Sequence, residues 1–209
     1  MENPWKTVDL ADYENHMRLD SVYQLQTLNK MMKDQFSLCA AGTVMILGIA
    51  GGNGLEHIDK NRYRAVYGVD INPDYLQACR ERYPELENVF KPICADLMDE
   101  ELQLPGADLL VADLLIEYIG YGCFERVVEK VCPKVVSCII QLNREASFVS
   151  ESPYLHAFDR LTQVHHQMEA KELTAFMKKI GYVKMKMQER SLPNGKQFVR
   201  IDFVQERQG

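Results

Sequence analysis

The sequence predicts an α/β fold built on a doubly wound, mostly parallel sheet. Three observations carry that expectation. The apolar stretch Val44-Met-Ile-Leu breaks directly into Gly48-Ile-Ala-Gly-Gly-Asn-Gly54; a second apolar run, Ala65 to Val69, stops at Asp70; and further apolar runs at 89–94, 107–112 and 134–141 alternate with segments of helical periodicity. Fully apolar runs of this length suit strands covered on both faces, and strand–helix alternation is the outline of a parallel sheet.

The chain has 209 residues, enough for one well-buried α/β domain and too few for two. Within a single domain over 1–209 the expected parts are an N-terminal helical cover (1–40), a cofactor-binding core (44–142), a substrate-side insert (143–168), and a last helix with a β-hairpin (169–209). With 24 basic and 30 acidic residues the net charge is −6, and no dense basic run occurs, which argues against nucleic acid as a partner. Six cysteines lie singly with no C-x-x-C pair, and Cys94 and Cys138 sit in apolar runs, so reduced, buried thiols are expected. The opening Met-Glu-Asn-Pro-Trp-Lys lacks the regions of a signal peptide, and no apolar run approaches the roughly 18 residues of a membrane span. The expectation is a cytoplasmic protein without a membrane partner; oligomeric state is not legible.

Taken in order, residues 1–40 read as helical. Ser21 suits an N-cap, and Val22, Leu25, Leu28 and Met32 then form one apolar stripe; before it, Tyr13, His16 and Met17 share a helical face. In the glycine stretch, Gly51, Gly52 and Gly54 permit backbone angles and close approaches that side chains forbid. Leu55 and Ile58 mark a short helical stretch, and the second strand ends on Asp70. Asn72 and Pro73 already supply an N-cap and a first helical residue, so Asp70 is not needed as a cap and is expected to accept hydrogen bonds from ribose hydroxyls in a nucleotide-type crevice. The helix from Asn72 is expected to bury Leu76, Cys79 and Tyr83 before Pro84 ends it. Asp96 lies just beyond the third strand and Asp113 at the end of the fourth, where open α/β sheets place ligands. Phe124, Val127, Val128 and Val131 trace a core-facing helix stopped by Pro133.

After the fifth strand, the segment from Asn143 to His166 gathers Ser150, Ser152, Tyr154, His156, Arg160, His165 and His166, a candidate substrate wall. Adjacent His165 and His166 point apart and no cysteine or carboxylate completes a ligand spacing, so no metal is expected. Leu173, Phe176, Met177 and Ile180 define the last helix, with Gly181 placed as its C-cap. Val183, Met185 and Met187 alternate with polar residues, Leu192-Pro-Asn-Gly195-Lys carries turn signals, and Val199, Ile201 and Phe203 alternate again: a terminal hairpin.

These residues carry a resemblance. Val44 to Gly54 resembles motif I of the class I S-adenosylmethionine-dependent methyltransferases, with Gly48 at the usual acidic position, Ala50 at the first glycine, and Gly52 and Gly54 matching. Val66 to Pro73 resembles the second motif, Ile93-Cys-Ala-Asp96-Leu97 the third, and Ala107 to Leu115 the fourth, over about residues 44 to 205. The resemblance implies a Rossmann-like seven-stranded sheet with a C-terminal antiparallel hairpin, S-adenosyl-L-methionine as cofactor with S-adenosyl-L-homocysteine as product, and methyl transfer to a small or medium-sized acceptor. It implies Gly48, Ile49, Ala50, Gly51, Gly52 and Gly54 around the cofactor, and Asp70 and Ile71 at the ribose. Asp96 would meet the adenine amino group, with Leu97 beside the base. Asp113, Leu114 and Tyr118 would pass beneath the sulfonium end, with Tyr13 and His16 over the mouth of the cleft. Methyl transfer from an activated donor depends on alignment and water exclusion, so no nucleophile is demanded; His16, Tyr118, His165 and His166 are candidate general bases. Two other readings stay open. An NAD(P)-dependent oxidoreductase suits the glycines and Asp70, although no clean G-x-G-x-x-G occurs and the Tyr182–Lys186 pair falls in the hairpin. A noncatalytic cofactor-binding regulatory module is the other, since catalysis here needs few diagnostic side chains.

Overall fold

The computed structural model describes residues 3–143 and 148–206. Residues 144–147 of the expected insert, and the extreme ends of the expected domain, lie outside that description.

Two helices come first, α1 (Leu10–Arg18) and α2 (Gln24–Phe36). Strands β1 (Thr43–Leu47) and β2 (Ala65–Asp70) follow, joined through a 3-10 turn at Leu55–His57, then α3 (Pro73–Arg82), β3 (Phe90–Cys94), β4 (Leu109–Asp113), α4 (Ile116–Val131) and β5 (Val135–Leu142). A 3-10 helix at Leu155–Gln163 precedes α5 (Ala170–Lys179) and the hairpin β6 (Tyr182–Ser191) and β7 (Gln197–Gln205). The strands form one seven-stranded sheet in the order β3-β2-β1-β4-β5-β7-β6. Neighbours from β3 to β5 pair in parallel, and β7 runs antiparallel to β5 and β6. This is the mostly parallel, hairpin-ended sheet that the sequence predicts.

The apolar runs are strands because both their faces are covered. Met45 and Leu47 of β1 pack with Phe124, Val127 and Val131 of α4 and Leu173 and Met177 of α5, whereas Val44 and Ile46 pack with Met32 and Phe36 of α2 and Leu76 and Cys79 of α3. Chain order reverses between β1 and β4, so a crevice opens above the carboxyl ends of the central strands. Helix α3 starts as its sequence dictates: the Asp74 amide donates to Asn72 Oδ1 at 3.0 Å, and Pro73 takes the first turn.

Several expectations need correction. Ser21 does not cap α2, which begins after Tyr23 in a left-handed conformation without a side-chain cap. Burial of Val22 and a 2.7 Å bond from the Tyr23 amide to the Leu19 carbonyl set that reversal instead. Tyr83 is half-buried, its hydroxyl donating to Glu56, while Tyr75 on the same helix is the ring that is buried. All six cysteines are free, as expected, but Cys94 and Cys132 are exposed, because β3 is an edge strand and Cys132 follows the end of α4. Alternation in β6 does not bury its apolar half: it is the opposite edge, its pairing shifts register between Lys184 and Lys186, and Met185 and Met187 are 49% and 43% exposed. In β7 both faces are buried, so Arg200 and Asp202 are as enclosed as Ile201 and Phe203.

Candidate functional site

A cleft lies over the ends of β1, β2 and β4. Gly48 leaves β1 at φ +62°, and its amide and that of Ile49 both donate to the Val69 carbonyl, at 2.8 and 3.2 Å. This turn brings backbone rather than side chain to the cleft, which Gly48 and Ala50 line. Asp70 forms the next wall. Its Oδ2 accepts the Ala50 amide and its Oδ1 the Asn72 amide, each at 2.9 Å, so it stitches the glycine turn to the start of α3. Burial pushes its carboxyl up while those amides pull it down. Each oxygen keeps a further lone pair, so the carboxylate has room for two more donors, the number a ribose diol offers.

The remaining loop residues lie behind this wall and do not line the cleft. Ile49 is buried in the α2–α3 side of the core. Gly51 abuts an ion pair between Glu14 of α1 and Arg82 of α3, with Arg82 Nη2 3.0 Å from Glu14 Oε2 and Arg82 Nη1 donating to the Gly51 carbonyl at 3.0 Å. At Gly52 a Cβ would crowd Leu55 and Cys79, and at Gly54 it would crowd Met32. Helix α1 is thereby clamped to the glycine loop.

The cleft is completed by Ile71, Asp96 and Leu97 on one side and by Asp113, Leu114, Tyr118 and Tyr13 on the other. The Asp96 carboxylate accepts the Met98 amide at 3.0 Å. Asp113 Oδ1 accepts Gln35 Nε2 at 2.8 Å, its second oxygen is buried without a partner, and burial pushes its carboxyl up to about 7. Leu114 adopts φ +54°, an uncommon conformation for a branched side chain, at the point where the chain turns from β4 into α4. Asn3, Trp5 and Tyr75 also line the cleft, none of them singled out from the sequence. The Trp5 indole N–H is buried without a partner.

A second pocket adjoins the first and shares Trp5, Tyr13, Leu114 and Tyr118 with it. It is aromatic. Trp5 meets Tyr118 edge-on at 4.9 Å and Tyr13 at 5.8 Å, His165 stacks on Phe148 at 4.0 Å, and the His16 ring lies 4.8 Å from Phe158. His16 faces this pocket and not the first; it is 3% exposed, with Nδ1 2.7 Å from Ser152 Oγ. Burial lowers His16 and His165 each to about 4, so both rings are neutral at pH 7. His166 lines neither pocket; its amide donates to the Glu117 carbonyl at 2.6 Å. The two histidines diverge, as adjacent residues in extended chain do.

Glu117 is the residue that sequence reasoning missed. It lies in the first turn of α4, before Gly120 breaks the helix with φ +70° and ψ 167°. It is 3% exposed, lines the second pocket, and accepts the Gln141 amide on Oε1 at 2.8 Å, while Oε2 is buried without a partner. Burial pushes its carboxyl up to about 7. A signal was present: Glu117 is the one charged residue in the apolar run from Leu114 to Ile119, directly after a strand end.

No protein-family model matches the sequence, and no curated protein does. Solved structures match the fold. The N-methyltransferase NodS from Bradyrhizobium japonicum WM9, crystallised with S-adenosyl-L-homocysteine, aligns over 99% of this chain and 100% of its own with TM-score 0.67 and 11% identity. The methyltransferase domain of a bacterial Hen1 aligns over 88% and 98% with TM-score 0.63 and 20% identity. The [4+2]-cyclase SpnF aligns over 92% and 86% with TM-score 0.66 and 10% identity. The fold is therefore the one that class I S-adenosylmethionine-dependent methyltransferases use, as the motif resemblance implies.

Proposed function

We propose that the chain is an S-adenosyl-L-methionine-dependent methyltransferase of the cytoplasm, with the cofactor in the cleft over β1, β2 and β4 and a small acceptor in the aromatic pocket beside it. The observation that carries this reading is the junction: Trp5, Tyr13, Leu114 and Tyr118 belong to both cavities, so a donor in one and an acceptor in the other meet behind a shared wall. Asp70 holds the ribose, Asp96 and Leu97 attend the adenine, and Gly48 and Ala50 admit the cofactor close to backbone. The sulfonium supplies an already activated methyl group, so the protein's part is to align the acceptor and exclude water. Rings from the N-terminal segment and the insert do the excluding. Six free cysteines support a reducing compartment.

Fold alone does not decide the reaction, because SpnF has this fold and is named a cyclase. A thermal-shift screen decides the cofactor, and methyl transfer decides the reaction. S-adenosyl-L-homocysteine at about a hundred times its dissociation constant is expected to add roughly 2.7 kcal/mol of stability, with NADH giving no shift. A shift with NADH and none with adenosylhomocysteine overturns the assignment. Transfer of tritiated methyl to metabolite pools then identifies the acceptor.

A further inference from the structure

We propose that the acceptor is a small amine that enters the aromatic pocket as its ammonium and gives up its proton there to Glu117. The inference rests on the methyltransferase reading and specifies its substrate class. Glu117 lines the pocket and its Oε2 is buried without a partner, and a buried unpartnered acceptor at a pocket wall calls for a donor from the ligand. Rings of Trp5, Tyr13 and Tyr118 surround the same space. Aromatic faces beside a carboxylate attract a cation.

Charge in the surroundings favours the same ligand. Among the described residues the one charged side chain that lines the pocket is the carboxyl of Glu117, with no lysine or arginine in its wall. The two histidines of the pocket are neutral and do not repel an ammonium. Lys196, at the β6–β7 turn, lies close enough to lower both of them, and its ammonium donates to the Phe148 carbonyl. The other ionisable groups that sense Glu117 are Asp113 on β4, Cys138 on β5, and Tyr118 and Tyr121 on its own helix, all raised by burial and thus biased towards their neutral forms.

The step balances within the pocket. The proton passes from R–NH3+ to Glu117 Oε2, turning a buried ion pair into a neutral amine and a carboxylic acid. The nitrogen lone pair so released forms the new N–C bond as the S–C bond of the donor breaks with its electron pair staying on sulfur. Burial that raises a carboxyl also lowers an ammonium, so both desolvation effects push the proton this way.

The test titrates protein saturated with S-adenosyl-L-homocysteine with benzylamine, benzyl alcohol and phenylacetate by calorimetry at pH 7 in buffers of different ionisation enthalpy. Benzylamine is expected to bind about tenfold or more tightly than the alcohol, and phenylacetate weakest. Since Glu117 is half-protonated near pH 7 when the pocket is empty, binding a cation beside it should release about half a proton. Glu117→Gln should abolish both the preference and the proton release while keeping adenosylhomocysteine affinity. Equal binding of amine and alcohol, tighter binding of the acid, no binding of benzylamine, or a preference that survives Glu117→Gln overturns the inference, and the ligand comparison in the unsubstituted protein needs no variant to fold. Failure of adenosylhomocysteine to bind strikes the methyltransferase reading instead.

Discussion

At the scale of the residue, Asp70 combines two duties that the sequence separated. It ends β2 facing the cleft, as a ribose-binding carboxylate would, and it also fastens the Ala50 and Asn72 amides at 2.9 Å. Asp70→Ala therefore removes more than a ligand contact. Hydrogen bonds to a charged group contribute roughly 1.5–3 kcal/mol, so the expected loss of adenosylhomocysteine affinity is about ten- to a hundredfold. The glycine turn should loosen as well, lowering the melting temperature of the free protein. Calorimetry showing unchanged affinity in a folded variant removes Asp70 from the cofactor site. Ala50, held at φ +47° where the resembling family has glycine, shows that this turn demands a left-handed residue whatever the side chain.

Among the elements, α1 and the 3-10 helix of the insert meet at the second pocket, and we propose that they cover the site. Tyr13 projects from α1 into the junction and His16 into the second pocket alone, and Phe158 of the insert lies against His16. The Glu14–Arg82 ion pair ties α1 to the glycine loop, so ligand in the cleft is expected to order α1. Amide exchange across residues 10–18 and 155–163 is expected to slow on adding adenosylhomocysteine. Arg82→Ala should raise exchange in α1 without ligand and shrink the slowing; because Arg82 is partly exposed, the stability cost should be small. Exchange in α1 that ignores both ligand and substitution would make the helix a passive surface element and leave the insert as the cover.

At the scale of the whole molecule, the buried ionisable groups set the pH dependence of stability. Glu117 is raised from 4.5 to about 7, so the folded state holds its proton more tightly than the unfolded chain, and its stabilising contribution is present below about 4.5 and lost as pH rises towards 7. His16 and His165, lowered from 6.5 to about 4, act oppositely: their contribution is present above 6.5 and lost as pH falls towards 4. Comparing Glu117→Gln with the unsubstituted protein cancels the histidines. The variant is expected to gain stability relative to the parent as pH rises from 5 to 8, read from denaturant unfolding at each pH; a constant difference shows that Glu117 titrates normally.

Features written in short-range order were legible in the chain. Apolar runs marked the strands, Asn72-Pro73 marked the start of α3, and Leu192 to Lys196 marked the hairpin turn, because periodicity, capping and turn chemistry act over a few residues. Asp70, Asp96 and Asp113 were legible as cleft-lining residues in the same way, since each stands at or just beyond a strand end and strand ends face the crevice; Leu114 came from the motif resemblance. Tertiary structure decided the rest. Ser152 reaches His16 across 136 positions, the Gln141 amide reaches Glu117 across 24, and Trp5 enters both cavities by folding back from the amino terminus. Arg200 and Asp202 alternate in β7 with the apolar Val199, Ile201 and Phe203, yet both are buried, with Arg200 Nε 2.8 Å from Asp202 Oδ1, because α2 covers that face. Whether a polar residue on a strand or first turn meets water or is buried depends on which distant element packs over it, and no local pattern encodes that choice.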